Sequence, residues 1–150
     1  FSQYGNNFLK TMLNLFLNKD LENNINVVDD QIGRPTSAND LAGAVMHVLK
    51  KVKVENDIKE IFHFSGNKTY SWHQFALEIY SISKDYGLDV VNKPKPISTK
   101  QYNKLMKLEN HFRPMYSVLD NSKFFETYSY KQKETSKLIL DCISKMVKGL

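Results

Sequence analysis

Between Asn26 and Ala42 the chain changes character three times, and few folds accommodate that order of changes. A β-branched run (Ile25, Val27, Val28) gives way to the polar residues Asp29, Asp30 and Gln31. The chain then turns through Gly33 and Pro35, and an apolar periodic segment starts behind Thr36 or Ser37 as its N-cap. This is a strand, a loop and a capped helix. In open α/β sheets the loop beyond the C-terminal edge of a strand is where ligands are contacted, because helix-start N–H groups and side chains converge there. The same pattern also occurs in βα connections that carry no site, so it constrains architecture before function.

The flanking segments extend this α/β reading. Phe8, Met12, Leu15 and Phe16 recur at helical spacing behind Asn6 or Asn7, which predicts a helix ending near Asn18. A polar connection from Asp20 to Asn24 leads into the strand at Ile25 to Val28. Leu41, Ala42, Val45, Met46 and Leu49 trace one apolar face of the next helix, which closes at Lys50 to Lys53 where positive charge suits its C-terminal dipole. Val54 to Lys59 reads as a loop, and Ile61, Phe62 and Phe64 as a second short strand ending in the turn Ser65-Gly66-Asn67. The strands at Ile25 to Val28 and Ile61 to Phe64 are expected to be parallel neighbours in a sheet whose larger part is missing, leaving an apolar edge that favours self-association.

Thr69 or Ser71 caps a helix with a broad stripe of Trp72, Phe75, Ala76, Ile79, Tyr80 and Ile82, and Gly87 stands where a left-handed C-cap belongs. Leu88 to Pro96 is extended, since Pro94 and Pro96 remove donors and push their predecessors out of the helical region. Ile97 to Leu108 has weak helical character. Arg113-Pro114 opens a loop running through Tyr116, Val118 and Leu119 to Asp120 or Asn121, either of which can cap a short helix carrying Phe124 and Phe125. The last helix spans about Lys133 to Val147, burying Leu138, Ile139, Cys142, Ile143 and Met146 and exposing Lys137, Lys145 and Lys148.

Several function classes lack the residues they need. The 150 residues are 41% hydrophobic and 25% charged, which fits one globular domain. The net charge of +5 is spread over scattered lysines with no basic stripe interleaved with aromatics, which argues against nucleic-acid binding. A lone cysteine, Cys142, excludes an internal disulfide and a cysteine metal site, and fits a reducing cytoplasm. No apolar run approaches the roughly 18 residues that span a bilayer, and no export signal pattern opens the chain. The first residue is Phe1 rather than Met, which leads us to expect a fragment.

Glycines at positions 5, 33, 43, 66, 87 and 149 make neither Gly-x-Gly-x-x-Gly nor a Walker loop. His47, His63, His73 and His111 are too dispersed for a local metal motif. Tyr80 and Lys84 have the Tyr-x-x-x-Lys spacing in which a helical lysine lowers a phenol's pKa for proton transfer. Tyr80 nevertheless lies on the apolar stripe and no nucleotide loop precedes it, so the pair reads as a core tyrosine followed by a solvated lysine.

A set of motifs carries more information together than any one alone: Gly5-Asn6-Asn7-Phe8 with Lys10-Thr11-Met12; Val28 to Thr36 with Asp40-Leu41-Ala42; His63-Phe64-Ser65-Gly66 leading to Ser71-Trp72; and Arg113-Pro114 with Leu119 to Phe124. In this order and spacing the chain resembles the C-terminal part of the dTDP-4-dehydrorhamnose reductase family. These are extended short-chain dehydrogenases that use NAD(P)H to reduce the 4-keto group of a nucleotide-linked deoxysugar. The resemblance covers nearly all 150 residues. It implies an α/β fold class: the C-terminal portion of a Rossmann-like enzyme, mostly helical, whose few short strands help form a substrate-binding domain. It implies that residues 1–150 comprise the end of the Rossmann-like sheet plus that domain, with the N-terminal dinucleotide-binding half absent.

The family's glycine-rich loop and its catalytic Tyr-x-x-x-Lys precede the position of Gly5, so no catalytic or metal residue is carried over. NADPH or NADH belongs to the full-length enzyme, and neither is expected to bind this chain alone. By resemblance, Asn7 and Phe8 line the sugar-nucleotide cleft, Gln31, Gly33, Pro35 and Thr36 form a loop closing on substrate, and Arg113 contacts the diphosphate. A planar guanidinium with paired donors suits that last role better than an ammonium does. Arg34 stands where the family pattern is often small or apolar and is assigned no role. The implied partners are a nucleotide-sugar substrate and the missing N-terminal half, with homo-oligomerisation left open. A non-catalytic binding or regulatory module built on the same substrate domain is the alternative.

Overall fold

Helix α1 (Phe8–Leu17) begins behind Asn7, whose side-chain oxygen accepts from the Lys10 amide at 3.3 Å, and its buried face is Leu9, Met12, Leu13 and Phe16. The computed structural model describes residues 1–20, 25–51, 60–108 and 113–148. The connection read up to Asn24, the loop read at Val54 to Lys59, Lys53 and His111 lie outside those residues. In chain order the remaining elements are β1 (Asn26–Val28), β2 (Ile32–Gly33), α2 (Ala38–Lys51), β3 (Tyr70–Ser71), α3 (Trp72–Asp85), β4 (Lys95–Ile97), α4 (Thr99–Leu105), α5 (Ser122–Tyr128) and α6 (Thr135–Lys148).

The main core lies between α1, α3, α6 and β1, where Leu9, Phe16, Phe75, Ile79, Ile139 and Ile143 are fully buried. Ser71 starts α3 with a reciprocal capping box to Gln74, and Gly87, at φ +90°, ends it. The Gly87 amide bonds Lys84 O and the Leu88 amide bonds Ser83 O, the paired arrangement that closes a helix through a left-handed residue. Cys142 is buried in this core, and burial pushes its thiol pKa up.

Two small pairings replace the expected continuous sheet. β1 runs parallel to β4, with Val27 opposite Pro96, and β2 runs antiparallel to β3. Part of the stretch read as simply extended is therefore a strand: the Lys95 amide donates to Ile25 O and the Asp29 amide to Ile97 O. Pro96 fits between these bonded positions because its missing donor is not needed there.

Ile61, Phe62 and Phe64 do not form the strand read there, and they do not neighbour β1. Phe62 and Phe64 turn onto a second, smaller core, with ring centroids 5.1 Å from Tyr128 and 5.3 Å from Phe124 respectively, and no described strand lies beside them. α2 also differs from its expected phase. Leu41, Val45, Met46 and Leu49 are 42–63% exposed, while Asp40 and Ala44 are buried and Val48 packs against the second core. The cause is Tyr130, whose hydroxyl donates to the buried Asp40 carboxylate at 3.0 Å and fills the space over Gly43, where a Cβ would lie 2.8 Å from it.

Neither Thr36 nor Ser37 caps α2 with its side chain. The Thr36 hydroxyl donates to Arg34 O and accepts from the Gly66 amide, and the Ala38 amide bonds Phe1 O instead. Weak helical character after Ile97 becomes the definite helix α4, set by a Ser98–Gln101 capping box. Asn121 precedes α5 without capping it. Its side chain accepts from the Ser65 amide and donates to Ser65 O, tying the turn at residues 65–67 to the chain's C-terminal third.

Candidate functional site

Two cavities lie side by side and share one wall, formed by Phe8 and Trp72. The first, about 380 Å³, is lined by Asn7, Gly33, Arg34, Pro35, Thr36 and Ser117 together with aromatic rings of the core edge. The second, about 400 Å³, is lined by β1, Met12, Gln31, Tyr102, Leu108 and Arg113. The residues singled out from sequence divide between the two. Asn7, Phe8, Gly33, Pro35 and Thr36 meet at the first, and Phe8, Gln31 and Arg113 at the second.

The loop after β1 is held by acceptors of its own. Asp29 takes the Ser71 hydroxyl and lies 3.6 Å from His73 Nδ1, so the end of β1 is fastened to the start of α3. Asp30 accepts from the Thr99 hydroxyl at 2.6 Å and the Thr99 amide at 2.9 Å. Desolvation pulls the Asp30 carboxyl pKa up, but these hydrogen bonds outweigh it and hold the group below the ordinary carboxylate value. Gln31, only 4% exposed, donates from Nε2 to the Thr99 hydroxyl at 2.9 Å, which fixes its amide against the second cavity. These three polar residues set the distance between β1, α3 and α4, and with it the width of the second cavity.

The floor of the first cavity depends on close backbone approach. A Cβ on Gly33 would lie 2.9 Å from Ser117 Oγ, and a Cβ on Gly66 would lie 2.2 Å from Pro35 O. Gly66 therefore lets the turn at 65–67 lie flat against Pro35 and Thr36. That turn is a junction: Gln132 donates to Ser65 O at 2.6 Å, and the Thr135 hydroxyl and amide donate to Asn67 Oδ1. Arg34, unassigned from sequence, lines this cavity and donates to Thr69 Oγ1 at 3.2 Å and Leu119 O at 3.1 Å.

Asn7 is largely committed to structure, since its amide donates to Ser2 O at 2.9 Å and Tyr4 O at 3.2 Å while its oxygen caps α1. Phe8 stacks on Phe75 (centroids 5.6 Å, interplanar angle 18°) and presents its ring to both cavities. Arg113 is exposed at the second cavity. Trp72 and Tyr102 also line the cavities, although the sequence pattern does not single them out as contact residues. Trp72 continues the apolar stripe of α3, but its place immediately after the cap puts it at the helix mouth. Tyr80 packs edge-on against Phe16 with centroids 5.4 Å apart, as a core tyrosine does. His47 Nε2 bonds Tyr128 O at 2.8 Å, and among the described residues no group of three or more His, Cys, Asp or Glu is placed to hold a metal.

Residues 1–148 match the family described as the RmlD substrate binding domain. A dTDP-4-dehydrorhamnose reductase from Aggregatibacter actinomycetemcomitans is 34% identical over 141 residues, which cover 93% of this chain and 45% of the relative. The crystal structure of a Clostridium acetobutylicum dTDP-4-dehydrorhamnose reductase superposes with a TM-score of 0.73 at 32% identity, covering 95% of this chain and 45% of that one. A Bacillus anthracis dTDP-4-dehydrorhamnose reductase crystallised with NADP gives a TM-score of 0.70 at 29% identity, covering 97% and 45%. The chain thus spans a little under half the length of these relatives and has the helix-rich α/β fold of their C-terminal part.

Proposed function

The chain belongs to the RmlD substrate-binding domain family, and from that premise we propose that it is the sugar-nucleotide-binding part of a dTDP-4-dehydrorhamnose reductase. The observation that carries this reading is the pair of cavities on either side of Phe8 and Trp72. A nucleoside diphosphate sugar has two bulky ends joined by a short anionic bridge, and two adjoining cavities with an arginine in one of them suit that shape. In this reading the second cavity takes the nucleoside, with Arg113 on the diphosphate and Gln31 along its wall. The first takes the hexose against Asn7, Phe8, Gly33, Pro35 and Thr36. The work of this chain is to bind and orient, since a hydride can reach a carbonyl only from a substrate held in one pose.

The NADP complex of the Bacillus anthracis relative supports a nicotinamide cofactor for the longer enzyme. The residues of this chain do not fit such a group, because none of its six glycines falls in a dinucleotide-binding turn. NADPH or NADH is therefore assigned to a preceding Rossmann half, and no step of hydride transfer to the residues described above.

The exposed face of α2 supports the same division into parts. Leu41, Val45 and Leu49 border a groove of about 330 Å³ floored by Phe62, Phe64, Phe124 and Tyr128. An apolar helical stripe left exposed beside an apolar groove has the character of a face that another part of the protein covers. We assign this face to contact with the Rossmann half, and residues 1–150 to the end of that sheet plus the substrate domain. We place the chain in the cytoplasm, where a reducing environment suits its single, buried Cys142.

The test is a fusion of this chain to the N-terminal half of the Aggregatibacter reductase. The fusion should oxidise NADPH with dTDP-4-dehydrorhamnose, and the 150-residue chain alone should not. A fusion that folds and binds NADPH yet shows no turnover would reject the reading.

A further inference from the structure

Trp72 is the chain's single tryptophan, and its backbone is unusually well fixed. The preceding Ser71 is paired with Ile32 across the β2–β3 ladder, donates its hydroxyl to Asp29, and closes a capping box with Gln74. The indole then packs on Phe8, with centroids 4.8 Å apart and planes inclined by 49°. Trp72 as a residue stays 37% exposed, whereas Phe75, one turn further along the same helix, is 1% exposed. A large aromatic held rigidly at a surface, with part of its apolar area left in water, has the character of a recognition element. Its location sharpens this, because Trp72 shares with Phe8 the property of lining both cavities.

We propose that Trp72 is the surface on which the hexose of the bound sugar nucleotide rests, so that it sets the position of the sugar. This rests on the reading given under Proposed function. With Arg113 in the second cavity, the diphosphate lies on that side of the shared wall, and the group that crosses to the first cavity is the hexose. The face of an indole carries negative electrostatic potential. It repels a phosphate and accepts the weakly positive C–H face of a pyranose. Phe8, stacked from behind on Phe75, keeps the indole from folding away.

The test uses the 150-residue chain and two probes, thymidine diphosphate and thymidine diphosphate glucose, titrated by calorimetry and by Trp72 fluorescence. The wild-type chain should bind the sugar-bearing probe about three- to tenfold more tightly than the bare nucleotide, the size of one aromatic contact. Trp72 emission should shift more with the sugar-bearing probe than with thymidine diphosphate. Trp72→Ala should abolish the difference between the probes, and Trp72→Phe should restore part of it. A merely structural tryptophan would weaken both probes alike in Trp72→Ala, and that result overturns the proposal. Equal wild-type affinity for the two probes, or unchanged emission while calorimetry records binding of the sugar-bearing probe, overturns it too. Failure of the wild-type chain to bind either probe would remove the reading on which it rests. The fluorescence arm needs no variant, so it decides even if Trp72→Ala does not fold.

Discussion

Replacing Gly66 by alanine asks whether the Pro35–Thr36 loop that lines the first cavity depends on the turn packed against it. The added methyl would lie 2.2 Å from Pro35 O and 3.1 Å from Pro35 C, both backbone atoms that cannot rotate away. Non-bonded carbon contacts sit near 3.5–4.0 Å, so the turn at 65–67 and the Pro35 loop must part by roughly 1 Å. Overpacking of that kind costs about 1–3 kcal/mol. The separation also breaks the 3.1 Å bond from the Gly66 amide to Thr36 Oγ1, a loss of about 0.5–1.5 kcal/mol. We therefore expect Gly66→Ala to destabilise the chain by about 2–4 kcal/mol, lowering its urea midpoint by roughly 1–2 M. Thr36→Val, which removes the hydrogen bond and keeps the shape, should cost only about 1 kcal/mol. Urea unfolding followed by Trp72 fluorescence separates the two. A Gly66→Ala midpoint within about 0.3 M of wild type would refute the close approach and the coupling of the loops.

Other outcomes follow from the second core and the face of α2. Val45→Glu combined with Leu49→Lys should shift the isolated chain from self-associated towards monomer in sedimentation velocity, and unchanged association would show that this face is not the sticky one. Tyr130→Phe should cost about 1–2 kcal/mol by leaving the buried Asp40 carboxylate without its hydroxyl donor, measured by urea unfolding near neutral pH. Desolvation, then the hydrogen bond to Asp40 and its negative charge, push the Tyr130 pKa up to about 12 from 10. A raised folded-state pKa means this stabilisation is complete below pH 10 and is lost as pH rises through about 12. The alkaline loss of stability in that window should therefore be smaller in Tyr130→Phe, and an unchanged alkaline profile would contradict the assignment.

The helices whose apolar stripes serve the chain's own core were legible in the sequence. α1, α3 and α6 fall close to their expected bounds because periodicity, caps and burial agree at Asn7, Ser71 and Gly87. α2 shows where periodicity misleads. Leu41, Val45, Met46 and Leu49 do form a stripe, but a stripe says only that something covers it, and within this chain Tyr130 holds the opposite face inward. The strand read at Ile61 to Phe64 failed for a related reason: a strand is a property of a pair, and no described strand lies beside this one. β4 was hidden by its proline, whose missing donor is harmless at that one register position. At the site, spacing identified the loop after β1 as polar and turning. It could not show that Asp29 and Asp30 are spent on Ser71 and Thr99, nor that the contact residues sort into two cavities. Those facts depend on pairs of residues about 40 to 70 positions apart.

Calorimetric titration of thymidine diphosphate glucose into the wild-type and Arg113→Ala chains tests whether the second cavity grips the diphosphate of a sugar nucleotide through Arg113. Loss of hydrogen bonds to a charged group costs about 1.5–3 kcal/mol, so the variant's dissociation constant should rise roughly tenfold to a hundredfold. Arg113→Lys should recover only part of that loss, because an ammonium keeps the charge without the paired donors. Equal affinity of wild type and Arg113→Ala for the probe would show that Arg113 is not the diphosphate anchor, and no binding by wild type would show that the cavities do not hold a sugar nucleotide.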